Sequence, residues 1–150
     1  MLFRSSKVQC WIFSTSGAGE PVCLLLRTTR KRGSFWQPVT GSAEAGEPDA
    51  AAALREATEE TGFAFAPPPA DTGYEFAFTS RFGEARERVF AAKVPGAQPP
   101  KLDPREHDAF QWIAPADALE LVRFPSNRDG LRHAYRLIWG KDLPKDQDDT

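Results

Sequence analysis

Gly41-Ser-Ala-Glu-Ala-Gly-Glu47-Pro-Asp-Ala-Ala-Ala-Ala-Leu-Arg55-Glu56-Ala57-Thr-Glu59-Glu60-Thr-Gly62-Phe63 is the stretch that decides how this chain folds. Pro48 fits a first helical turn, Asp49 suits the positive end of a helix, and Gly62 follows the last periodic residue. The segment from about Pro48 to Thr61 therefore reads as a helix. Ala50, Leu54, Ala57 and Thr61 recur at helical spacing and are expected to face the core. Glu56, Glu59 and Glu60, three and four residues apart, are expected to share another face. Like charges so placed repel by roughly 0.2 to 0.5 kcal/mol per pair, a small liability unless a cation binds them. Oxygen ligands on a rigid element suit Mg²⁺, with Mn²⁺ as the alternative, better than zinc or copper. A Glu-rich solvated face on an Ala-rich helix would need no ligand at all, so the local pattern does not decide the matter.

The spacing of the whole segment does. It resembles the Nudix box: Gly, five residues, Glu, seven residues, Arg-Glu, an aliphatic, any residue, Glu-Glu, any residue, Gly, an aliphatic. Gly41, Glu47, Arg55, Glu56, Glu59, Glu60 and Gly62 match in register. Ala57 is smaller than the usual aliphatic, and Phe63 is aromatic. The resemblance implies that Glu56, Glu59 and Glu60 hold the metal, that Arg55 orients the carboxylates, and that Glu47 braces Arg55. Gly41 and Gly62 take structural parts, one in a loop that approaches the substrate, the other at the helix end. The fold implied is an α/β/α sandwich with a mixed sheet, in which the box helix and a C-terminal helix cover the faces.

Outward from the box, Phe35-Trp36-Gln37-Pro38-Val39-Thr40 before it, and Glu106-His107-Asp108-Ala109-Phe110-Gln111-Trp112 and Ser126-Asn127-Arg128 after it, resemble the dihydroneopterin triphosphate pyrophosphohydrolases of that family. This implies release of pyrophosphate from a small-molecule triphosphate, in folate synthesis. Glu106 becomes a candidate base or extra ligand, alongside Glu59 and Arg55 as catalytic candidates. Hydrolysis of nucleoside triphosphates or dinucleoside polyphosphates is the alternative, and a non-catalytic nucleotide-binding module is a third. Trp36 could stack on a base and Gln37 could read its edge, although core packing is the other reading. Arg27, Arg30, Lys31 and Arg32 could meet the phosphates or form a solvated basic loop. His107 and His133 stand at no metal-binding spacing and receive no role.

Further from the box, Lys7 to Phe13 and Val22 to Thr28 read as a hairpin with apolar residues on both faces, hence a sheet covered on two sides. Pro38 belongs at an edge or irregular position. Tyr74 to Thr79, Glu87 to Val94 and Phe110 to Ile113 read as strands, Pro115 to Val122 as a short helix. Ser126 opens a last helix that Gly140 closes, carrying Leu131, Tyr135 and Ile138 on one face. Residues 141–150 read as a loose tail. The 150 residues suit one domain, and a net charge of −2 argues against nucleic acid as the main partner. No signal-peptide or membrane-spanning run is present, so a cytoplasmic location is expected. Cys10 and Cys23 are read as buried thiols offset by about two residues, too far apart to bridge. Oligomeric state is left open.

Overall fold

β1 (Ser5–Thr15) shows why the sheet is covered on both sides. Its alternating side chains feed two separate apolar clusters. Val8, Cys10 and Ile12 point to one face, joined by Leu24, Leu26, Val39 and Phe90 under Ala52, Ala53 and Ala57. Trp11 and Phe13 point to the other, joined by Cys23, Leu25, Val89 and Ala91 under Leu119, Leu131, Ala134 and Tyr135. A computed structural model describes residues 5–144. Its remaining elements are β2 (Pro21–Thr28), β3 (Trp36–Gln37), β4 (Val39–Ser42), α1 (Asp49–Thr61), β5 (Ala70–Ser80), β6 (Gly83–Lys93), β7 (His107–Ile113), α2 (Pro115–Leu121) and α3 (Pro125–Trp139). α1 covers the first face, α2 and α3 the second, giving the expected sandwich.

The sheet is mixed: β1 runs parallel to β6 and antiparallel to β2 and β4, while β5 and β7 flank antiparallel on β6 and β2. β1 and β2 pair only near their shared turn, from Phe13↔Cys23 to Thr15↔Pro21. Beyond it they part, and the following chain fills the fork. β3 pairs with β2 at Leu26↔Gln37, then β4 crosses to β1 at Val8↔Gly41. Pro38 stands between β3 and β4, at the crossing, where its missing N–H is not needed by a ladder. This fork positions the candidate site.

Several expectations shift. Gly41 lies inside β4 rather than in a loop. α1 buries Ala52, Ala53, Ala57, Glu60 and Thr61, while Ala50 is exposed and Leu54 half-buried. The interface takes the smallest side chains, which let the helix approach the sheet, and that rotation carries Glu60 into the interior. α3 starts at Pro125 with Phe124 as its capping residue, so Ser126 is already helical. A proline at the first helical position uses an amide that would have no partner anyway. Phe13, not Cys10, faces Cys23, so the cysteines are three residues out of register, on opposite faces. Both are free and buried. Leu143 packs into the α3-side cluster, so the tail begins anchored, and residues 145–150 lie outside the described residues. Among the described residues no helix is long and apolar enough to cross a membrane.

Candidate active site

Arg55 is the hub of the box. Its Nε and Nη2 donate to the two oxygens of Glu47, each at 2.9 Å, a bidentate pair. Nη2 also donates to the Ser42 carbonyl at 3.0 Å, and Nη1 to Glu56 at 2.9 Å and to Glu59 at 3.4 Å. One guanidinium thereby ties the preceding loop, β4 and two box carboxylates together. The Arg55 hydrogen bonds hold Glu47 down at about 2, well below the usual carboxylate range. Gly62 closes α1 with φ 75°, its N–H donating to the Thr58 carbonyl.

Gly41 has its requirement in space rather than in dihedral angle. A Cβ there would overlap the Glu56 carboxyl group. β4 thus passes close beneath that carboxylate, and only glycine leaves room for it.

Glu60 is 3% exposed and its Oε1 has no hydrogen-bond partner. Burial, followed by the adjoining Glu56 carboxyl and the charge of Glu106, pushes its pKa up to about 10. The nearest cationic candidate, His107 Nε2, is 3.9 Å away. Burial and Arg32 pull His107 down to about 4, so its ring is neutral. Its Nε2 lies 3.1 Å from Gln37 Nε2, an amide that can only donate, so His107 accepts there and offers Glu60 no proton. Two carboxyls held together, one with a bare buried oxygen, suit a divalent cation. Glu59 differs, its side chain being 60% exposed. Among the described residues no three His, Cys, Asp or Glu side chains are already grouped so as to hold a metal.

Glu56 opens onto a cleft of about 390 Å³ at the fork, lined from both faces of the sheet. Glu106, Arg32, Gln37, Gly41 and Ser42 share its wall, and Arg32 lies 3.8 Å from Glu106. Of the four basic candidates only Arg32 lines it. Arg27 and Trp36 lie outside the lining: Arg27 pairs with Asp108 at 2.7 Å and covers the Trp36 ring, which packs on the α3-side cluster. Phe35 packs edge-on against Phe124.

The far wall is built from residues that sequence reasoning left without a role: Lys7, Glu87 and Asn127. Glu87 shares the inward parity of Val89 and Ala91, and an acid at a core-facing strand position was the signal available. Its Oε2 accepts from Gln9 Nε2 at 2.8 Å, and Gln9 Oε1 accepts from Trp11 Nε1 at 2.6 Å. Gly130 in α3 admits this chain, since a Cβ there would overlap Gln9. Asn127 is 4% exposed and its Oδ1 lacks a partner. His107 was missed because its partners, Gln37 and Glu60, come from distant elements.

Three comparisons bear on this arrangement. The chain is 42% identical over 124 residues to an octanoyltransferase of Myxococcus xanthus, a match covering 77% of this chain and 32% of that protein. It spans about a third of that relative's length. A C. elegans Ap4A hydrolase in a binary complex superposes with a TM-score of 0.75 at 20% identity, covering 91% of this chain and 99% of the other. The E. coli dihydroneopterin triphosphate pyrophosphohydrolase gives 0.74 at 23% identity, covering 91% and 96%. At these identities the two structures establish a shared fold. The NUDIX domain family matches residues 4–135, which takes in the sheet, the box helix and most of α3, and the chain belongs to that family.

Proposed function

We propose that this chain is a Mg²⁺-dependent pyrophosphohydrolase of a small-molecule triphosphate, with dihydroneopterin triphosphate as first substrate and the monophosphate and pyrophosphate as products. The observation that carries the reading is the Glu56–Glu60 pair: Glu60 keeps a buried oxygen without a partner, while Glu56, packed on Gly41, lines a cleft that also holds Arg32 and Glu106. Glu56 and Glu60 would hold the ion, with Glu59 swinging in from its exposed position as the third ligand. When bound, Mg²⁺, or Mn²⁺ in its place, would neutralise phosphate charge and lower the pKa of an attacking water. Glu106 accepts the water's proton, and Glu59 is the second candidate for that task. Arg55 fixes Glu56 and Glu59 from behind. Arg32 meets the phosphates and Gln37 borders the substrate; Arg27 and Trp36 support that wall from outside.

Hydrolysis of nucleoside triphosphates or dinucleoside polyphosphates is the second reading, favoured by the same carboxylates and by the likeness to an Ap4A hydrolase. A binding-only module fits less well, since all the box carboxylates are present. We place the reaction in the cytoplasm. Turnover with Mg²⁺ tests the reading, followed as pyrophosphate release from dihydroneopterin triphosphate, GTP and ATP and as mononucleotide products from Ap4A. A much larger kcat/KM for another substrate would overturn the pterin assignment, and no turnover of any would overturn hydrolysis.

A further inference from the structure

Glu56 of the box, with Arg32 and Glu106, accounts for one wall of the cleft and leaves the other unexplained. Lys7 and Glu87 are register partners on the parallel strands β1 and β6, and both line that other wall. The Lys7 ammonium and the Glu87 carboxylate, side by side and not joined in a salt bridge, present three N–H donors and two acceptor oxygens, one of which also accepts from Gln9. Glu87 is held in place rather than mobile, because Trp11 fixes Gln9 and Gln9 fixes one carboxylate oxygen. Asn127, nearly buried in the same wall, adds an amide whose oxygen has no partner within the protein. Leaving such a buried group unpaired is unfavourable, so a ligand donor is its natural complement.

We infer that Glu87 and Lys7 read a 2-amino-4-oxopyrimidine edge on the substrate ring, with Asn127 beside them, and that Glu87 is the specificity-determining residue. That edge carries an N–H and an amino group next to a carbonyl oxygen. Glu87 accepts from the two donors, and Lys7 donates to the carbonyl. Guanine and the pterin nucleus both carry this edge. Adenine instead presents a bare ring nitrogen, whose lone pair would face a carboxylate. The inference rests on the proposed hydrolysis of a triphosphate only for the placing of the phosphates, since the edge is recognised whether or not a bond is cut.

Equilibrium binding by calorimetry, with GMP, IMP and AMP as probes, tests it on the full chain. The expected order is GMP, then IMP, then AMP, with loss of the amino group costing about tenfold in affinity, as suits one hydrogen bond to a charged acceptor. Glu87→Gln keeps an acceptor for Gln9 but turns one ligand-facing acceptor into a donor. It is expected to reduce the GMP-to-AMP ratio by tenfold or more, chiefly by weakening GMP. Neopterin against guanosine separates the two carriers of the edge, the tighter of the two naming the ring. Equal binding of GMP and AMP by the wild-type protein, or a ratio unmoved in Glu87→Gln, would overturn the inference. Preference for GMP with no hydrolysis of any triphosphate would overturn the catalytic reading alone.

Discussion

The two faces of the sheet bury a carboxyl group in contrasting ways. Under α3, Glu87 is 9% exposed, yet Gln9 donates to it and Trp11 holds Gln9. Under α1, Glu60 is more deeply buried beside Glu56, and one of its oxygens meets no donor. The difference follows from what each helix brings. α3 contributes Gly130, which leaves space for the Gln9 side chain, and β1 itself supplies the indole N–H of Trp11. α1 contributes alanines, which pack closely but donate nothing. A satisfied carboxyl suits recognition of a neutral ring, whereas an unsatisfied pair suits a cation.

The sharpest way to break this contrast is Glu60→Gln. It should lower kcat by about 100-fold or more, the scale set by loss of charge stabilisation in a water-poor site. Gly41→Ala follows, because the new methyl displaces the flexible end of Glu56 rather than backbone. We expect about a tenfold or greater fall in kcat with a melting temperature close to wild type, read by steady-state kinetics and thermal denaturation.

Stability should move the opposite way at Glu60. Without Mg²⁺, Glu60→Met removes an unsatisfied buried polar group and fills the space with apolar atoms. An increase of about 1 kcal/mol or more is expected in urea denaturation of the metal-free protein. A decrease would mean that Glu60 has a partner in the metal-free state.

The smallest effect concerns acid. Arg55 depresses Glu47 to about 2 in the folded protein, against an ordinary value of 4.5. A depressed carboxylate stabilises the fold above its unfolded pKa, and this contribution is lost as pH falls from about 4.5 towards 2. Glu47→Gln should flatten the melting temperature profile in that window and leave it parallel to wild type near neutrality.

Much of this was legible in the residues, and the limits have physical causes. Periodicity gave α1 to within a residue because Pro48 and Gly62 bracket it, and the covering of the sheet on both faces followed from the two-sided apolar strands. The inward face of α1 was read correctly at Ala57 and Thr61 and misread at Ala50 and Leu54, because Leu54 outranks alanine in hydrophobicity while close helix-to-sheet packing favours Ala52 and Ala53. The Arg55 hub was implied by the resemblance, and of its partners only Glu56 and Glu59 lie on the same helix. His107, Glu87, Asn127 and the fork at Pro38 arise from elements far apart in the chain, so no local spacing announces them. Trp36 shows the converse: lying just before the box in sequence, it packs against Arg27 outside the cleft.

Mn²⁺ binding followed by electron paramagnetic resonance, on the wild-type protein and on Glu60→Gln, tests the central claim most directly. The account predicts saturable binding that Mg²⁺ displaces, weakened at least tenfold by the substitution, in parallel with the loss of pyrophosphate release. Equal Mn²⁺ affinity in the two proteins, or hydrolysis that continues at full rate in EDTA, would contradict it.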